Sequence, residues 1–280
     1  MTSGQRAVAE VERAGFIPDT VYVPDAETGW LVPLHREREP DRWRRLVDSD
    51  EPVVTAVDFD PRLPEHLRDL RTGRGVVSTS SSSAPPIVAR MLDALDVSPG
   101  HRVLEIGTGT GWNAALLAHL GAEVVSVEVN PGIAERARER LRGHRVEVVA
   151  GDGAAGHPPG APYDRVVATA SVTGVPYAWV EQTRPGGILV VPWAPVAHPD
   201  APLAVLTVTG DAARGRFTVP APFMPMSGER LAPEVGERVR AWWERAGRPA
   251  PERFGVTVDR TGSRVWLDDP GNAVPLPLGA

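Results

Sequence analysis

Apolar residues fall into two rhythms along the middle of this chain. Short continuous runs, among them Val103-Leu104-Glu105-Ile106, Val124-Val125-Ser126-Val127, Val146 to Ala150, Val166-Val167 and Ile188 to Val191, are bounded by Gly, Pro or charged residues. Runs of that length and β-branched content predict strands buried on both faces. Between them, Ile87, Val88, Met91, Leu92 and Leu95 keep the spacing of one helix face, and Ala114, Ala115, Leu116, Leu117 and Leu120 predict a second, more uniformly apolar helix. Strands alternating with helices predict a doubly wound α/β sheet over residues 76–227.

The flanks read differently. Residues 1–75 hold Val21-Tyr22-Val23, Trp30 to Leu34 and a charged stretch from Arg36 to Arg45 around Trp43, and are expected to form short strands and loops. Residues 228–280 begin with a charged helix from Glu234 to Arg245 that carries Trp242 and Trp243. They end in strand segments Phe254–Val258 and Arg264–Leu267. The expected organisation is an α/β core, 76–227, between an N-terminal extension, 1–75, and a C-terminal extension, 228–280.

The first chemistry lies where the run 103–106 passes into Gly107, Gly109 and Gly111, with Thr108 between. Glycines between a strand and a helix allow a tight turn and a close approach of backbone to ligand. Glu128 follows 21 residues after Gly107, at the end of the next strand and beside Val129. A carboxylate there suits the two ribose hydroxyls of an adenosine-containing ligand in an open α/β sheet. A third strand ends at Asp152-Gly153, an acid placed to accept from an adenine amino group. The glycine pattern is G-x-G-x-G rather than the G-x-G-x-x-G of dinucleotide binders. With Glu105, Glu128 and Asp152 expected to converge on the crevice, a diphosphate would be repelled, whereas a sulfonium, an amine and a ribose would not. S-adenosylmethionine is therefore the predicted cofactor.

Composition narrows the remaining classes. The chain has 280 residues, a formal net charge of −6 and no cysteine, so disulfides and cysteine metal sites are excluded. No basic footprint for nucleic acid is present. No run approaches the length of a membrane span and the first residues lack a signal-peptide core, so no membrane partner and a cytoplasmic location are expected. The seven histidines show no metal-ligand spacing; no metal is expected and most of them read as solvated. Nothing fixes an oligomeric state, and a monomer is the default.

Val103-Leu-Glu-Ile-Gly-Thr-Gly-Thr-Gly-Trp112 resembles the cofactor motif of the protein-L-isoaspartate O-methyltransferases. Further segments resemble that family in order: Ser82-Ser83-Ala84-Pro85, Gly151-Asp152-Gly153, Ala161 to Val167, Pro185 to Pro192 and Phe223-Met224-Pro225-Met226. Together they cover about residues 78–227. The resemblance implies a Rossmann-like class I S-adenosylmethionine-dependent methyltransferase fold. It implies that Ser83, with Ser82 beside it, orients a substrate carboxyl group, and that Trp112 flanks the cofactor; a core position for Trp112 is the alternative. The family has an apolar residue where Ser82 stands. A carboxylate with a pKa of about 4 is already ionised near neutrality, so attack on a sulfonium methyl needs no general base. In-line positioning and exclusion of water are what remain to be supplied.

Two readings of the serine run 78–83 stand side by side: a flexible linker by composition, or a lead into a helix with Ser83 at its N-cap. Ser171 and Thr173, after the fourth strand, are candidates for bonding an extended peptide. The flanks more loosely resemble methyltransferases of ribosomal-peptide maturation, which methylate an aspartate that then closes to an aspartimide. The expected substrate is thus an aspartyl or isoaspartyl residue of a peptide or protein, with a precursor peptide preferred over general repair. A small-molecule methyltransferase and a non-catalytic peptide-binding scaffold are also compatible with these residues.

Overall fold

The computed structural model describes residues 1–58 and 77–274. One expected solvated histidine, His66, lies outside the described residues.

The central strands are continuously apolar because both faces are covered. Strands β5 (Arg102–Ile106), β6 (Glu123–Glu128), β7 (Val146–Ala150), β8 (Tyr163–Ala168) and β9 (Thr183–Pro192) run parallel in the order β7-β6-β5-β8-β9. Successive residues of one strand enter different cores: Leu104, Ile106, Val166, Leu189 and Val191 enter one, Val103, Val167 and Val190 the other. Helices α3 (Pro85–Leu95), α4 (Trp112–His119) and α5 (Pro131–Arg140) connect or cover these strands, and α6 (Tyr177–Glu181) leads into β9. The doubly wound α/β expectation is met, and the strand order reverses at β5, which pairs with both β6 and β8. A crevice outside the carboxyl ends of the strands forms at such a reversal.

The C-terminal extension does not stand apart. Strands β10 (Pro202–Thr209), β11 (Ala212–Pro220), β12 (Phe254–Asp259) and β13 (Gly262–Leu267) continue the same sheet antiparallel, which reaches nine strands among the described residues. Helix α7 (Pro233–Arg245) brings Val235 and Val239 into the core, with Trp242 and Trp243 packed against it. His198, expected at a solvated position, is fully buried between the rings of Trp243 and Phe254.

The N-terminal region corrects the expectation of strands and loops alone. Helix α1 (Ser3–Glu10) is started by a capping box between Thr2 and Gln5, and α2 (Pro40–Val47) begins with proline at its first position. The charged stretch read as irregular is α2, which buries Trp43 and Val47 on one face. Strands β1 (Thr20–Pro24), β2 (Leu31–His35), β3 (Val53–Asp58) and β4 (Val77–Ser82) form a second sheet in the order β2-β1-β3-β4. The serine run is therefore strand as far as Ser82, not linker. It completes the N-terminal sheet although the expected boundary at residue 76 grouped it with the core.

Candidate active site

The carboxyl ends of β5, β6, β7 and β8 open into a cavity of about 840 Å³, within the size range of small-molecule sites. At its floor, Gly107 has φ +92°, and a Cβ there would stand 2.7 Å from the Thr169 hydroxyl oxygen. That hydroxyl donates to the Gly107 carbonyl. Only glycine meets both the backbone angle and the close approach. The turn then delivers Gly111, also left-handed at φ +89°, to the N-cap of α4.

Glu128 closes the turn from β6. Its Oε2 accepts from the Gly109 N–H at 2.9 Å and its Oε1 from the Asn130 N–H at 3.0 Å. Asp152 accepts from the Ala154 N–H at 2.9 Å and caps the short turn Gly153–Ala155. Gly107, Thr108, Gly109, Glu128, Val129, Asp152 and Gly153 all line the cavity, whereas Gly111, expected among them, does not: it faces Leu141 and Ala137 at the start of α4.

Glu105 is placed differently from expectation, and Trp112 occupies both of its expected places, cavity wall and core. Glu105 is fully buried and does not line the cavity. It shares a strand face with Val103, beneath α4, where Asn113 Nδ2 donates to Oε1 at 2.7 Å and the Ser126 hydroxyl donates to Oε2. Ser126 has one proton, so the Thr108 hydroxyl, 2.6 Å away, donates to Ser126 in turn. Burial pushes the Glu105 carboxyl up to about 7, opposed by the Ser126 and Asn113 bonds. The residue thus braces the glycine turn from below. Trp112 is buried; its indole N–H donates to the Val11 carbonyl at 3.1 Å and its ring lies 5.5 Å from the Arg13 guanidinium carbon. It reaches the cavity wall but mainly docks the N-terminal segment onto α4.

The other wall comes from β4 and from the segment that follows β11. Ser83 and Ala84 line the cavity, and the N-cap of α3 is Ala84 with no side-chain cap bond, so Ser83 is one residue short of the expected capping position. Ser82 also contributes to the wall, yet it is buried and its hydroxyl accepts from Arg13 Nε at 3.1 Å. Phe223, Met224, Pro225 and Met226 supply an apolar strip. Ser171 and Thr173, candidates for peptide bonding, instead hold this segment: Ser171 Oγ donates to the Phe223 carbonyl, and the Thr173 N–H and hydroxyl donate to Glu229 Oε2 at 2.7 and 3.0 Å.

Three contributors had no usable signal in the sequence. Asp50 and Glu51 reach the cavity from the loop before β3, and Arg230 from beyond the apolar strip, where it donates to the Ser78 carbonyl at 3.4 Å. Thr169 was visible only as the residue after a strand.

The donor set fits S-adenosylmethionine on the cofactor side. Glu128 and Asp152 offer carboxylates for ribose and adenine, Gly107 and Gly153 leave no room for a side chain, and Ile106, Val127 and Ile133 give apolar walls. No lysine or arginine stands among the described residues of that side to hold a diphosphate. The fold and this site define a class I S-adenosylmethionine-dependent methyltransferase. A family model described as Protein-L-isoaspartate(D-aspartate) O-methyltransferase matches residues 68–225. The chain belongs to the protein-L-isoaspartate O-methyltransferase family, whose class is that of S-adenosylmethionine-dependent carboxyl methyltransferases.

Among relatives, the protein-L-isoaspartate O-methyltransferase of Aeropyrum pernix is 36% identical over 252 residues, 79% of this chain and 94% of the relative. That of Methanoculleus marisnigri is 44% identical over 179 residues, 58% of this chain and 80% of the relative. A solved protein-L-isoaspartate O-methyltransferase aligns with a TM-score of 0.66 at 20% identity, covering 96% of each chain. That likeness concerns the fold alone, and it extends through both flanks.

Proposed function

We propose that this enzyme methylates the free carboxyl group of an isoaspartyl residue in a peptide or protein, with Ser83 holding the carboxylate. The observation that carries the reading is that two unlike sets of residues line one cavity. A carboxylate-lined glycine cradle borders the same cavity as a hydroxyl-lined strand and an apolar strip. When bound, S-adenosylmethionine supplies a methyl group on a positively charged sulfur. The Ser83 hydroxyl donates to one oxygen of the substrate carboxylate and leaves the other oxygen as the nucleophile. Phe223, Met224 and Pro225 exclude water, so orientation and desolvation provide the acceleration. No base is needed, because the nucleophile is an anion near neutral pH. The glycine cradle, Glu128, Val129 and Asp152 hold the cofactor in this reading, and Glu105 braces the cradle from behind.

Ser83→Ala is expected to keep S-adenosyl-L-homocysteine affinity within about twofold while kcat/KM toward an isoaspartyl peptide falls about tenfold, the weight of one hydrogen bond to a charged group. Titration calorimetry and a methyl-transfer assay measure the two quantities. An unchanged kcat/KM removes the role assigned to Ser83.

A second reading is favoured by Asp50, Glu51 and Val54, which bring the N-terminal sheet to the cavity. Here the substrate is an aspartate in a ribosomally made precursor peptide, and the ester is lost as methanol when the next backbone nitrogen closes an aspartimide. Mass spectrometry separates the two: an aspartyl peptide that gains one CH2 and then shows a net loss of one water supports the second. Methylation confined to isoaspartyl peptides supports the first. Transfer only to a small acid, or cofactor binding with no transfer, would sink both.

A further inference from the structure

Arg13 lies behind the serine wall and does not line the cavity. It is buried, and its guanidinium is satisfied almost wholly by backbone carbonyls. Nη1 donates to Val47 O at 3.3 Å and Ser49 O at 3.1 Å. Nη2 is shared among Glu51 O, Ser82 O and Ser83 O at 3.0, 2.9 and 3.0 Å, and Nε reaches the Ser82 hydroxyl. Burial lowers its pKa to about 10, with Asp50 acting in the opposite sense, so it stays a cation at neutral pH. A planar fork of five N–H donors can hold several segments at fixed angles, which a single ammonium cannot.

The consequence follows from peptide geometry. In a trans peptide unit the C=O and the following N–H point in opposite directions. With the Ser82 and Ser83 carbonyls both turned onto Arg13, the N–H groups of Ser83 and Ala84 point away from it. Ser83 and Ala84 themselves line the cavity. Two successive N–H groups thus leave the far side of a wall whose near side is held by a buried cation.

We propose that Arg13 is a positioning residue for substrate: by fixing the Ser82 and Ser83 carbonyls from behind, it aims the Ser83 and Ala84 N–H groups and the Ser83 hydroxyl at the carboxylate to be methylated. This rests on the reading that Ser83 contacts the substrate. It adds a residue remote in sequence, in the N-terminal extension, to the substrate half of the site.

The test compares wild type, Arg13→Lys, Ser83→Ala and the double variant, each checked by thermal melting. Arg13→Lys is expected to raise KM for the carboxyl substrate about tenfold, with S-adenosyl-L-homocysteine affinity within about twofold of wild type. In the Ser83→Ala background the same change should cost at least about threefold less, because the two residues act as a unit. A folded Arg13→Lys with unchanged KM, or a loss that multiplies fully with Ser83→Ala, overturns the assignment. A second measurement needs no variant: in wild-type protein saturated with S-adenosyl-L-homocysteine, the Ser83 and Ala84 amide signals should move downfield when the carboxyl substrate is added. Amides that stay in place overturn the proposal even if Arg13→Lys does not fold. If wild type ignores isoaspartyl peptides but methylates an aspartyl peptide or a small carboxylate, the substrate reading alone falls, and both measurements are made on that substrate.

Discussion

Glu105 occupies a fully buried interior strand position, and its cost is offset by two donors, Asn113 and its strand neighbour Ser126, rather than by a cation. Its carboxyl titrates near 4.5 in an unfolded chain and near 7 in the fold, so folding takes up a proton between those values. Stability from this residue is fully present below about pH 4.5, declines as pH rises to about 7 and is level beyond. The displacement is equivalent to about 3 kcal/mol. Glu105→Gln, which keeps the size and the Asn113 bond and reverses the Ser126 bond because its Nε2 donates, should flatten the rise in urea stability between about pH 7 and pH 5. An equal slope in wild type and variant would show that another group carries it. Much of the cofactor side was legible because its residues sit at fixed offsets from strand ends: Gly107, Glu128 and Asp152 needed only the order of the strands. Glu105 was misplaced because a motif position was read without the alternation of faces, which puts it with Val103 under α4. Arg13 had no local signal at all, since its acceptors lie 34 to 70 residues away.

Among the elements, the segment after β11 is held to the loop after β8 by few, short bonds. The Ser171 N–H donates to the Met224 carbonyl, the Met226 N–H donates to the Ser171 carbonyl, and Glu229 receives two bonds from Thr173. Removing the carboxylate with Glu229→Ala should cost about 1–3 kcal/mol of stability. It should also raise KM for the substrate several-fold while cofactor affinity is kept, because the apolar strip, not the glycine cradle, loses its anchor. Calorimetry and steady-state kinetics read both, and an unchanged KM would detach this segment from substrate binding. Helices α1 and α2 were missed at this scale. Their charged residues mask the apolar stripe, yet α2 shows proline at its first position with Trp43, Leu46 and Val47 spaced as one face. The cap of α3 was misassigned by one residue because Ala84, not Ser83, has the extended backbone that precedes the helix.

In the whole molecule, a chain expected to be a core with two appendages is built from two sheets that ignore those boundaries. Phe254, Val256, Val258 and Val265 belong to the same buried cluster as Leu104 and Val166. A chain cut after residue 227 should therefore lose cooperative melting and bind hydrophobic dyes rather than behave as a trimmed enzyme. A soluble fragment that melts cooperatively and binds S-adenosyl-L-homocysteine would restore the appendage view. The ends of the chain were hardest to read because strands that join a sheet at its far edge carry no spacing that says so. Both sheets reach the cavity: the cradle hangs from β5 to β8, while the serine strand β4 ends the small sheet beside β3. The cavity is thus walled by two sheets that share no strand. On the proposed reading, substitutions around β4 and in the strip 223–226 would retune what is methylated while the glycine cradle of the methyl donor stays as it is.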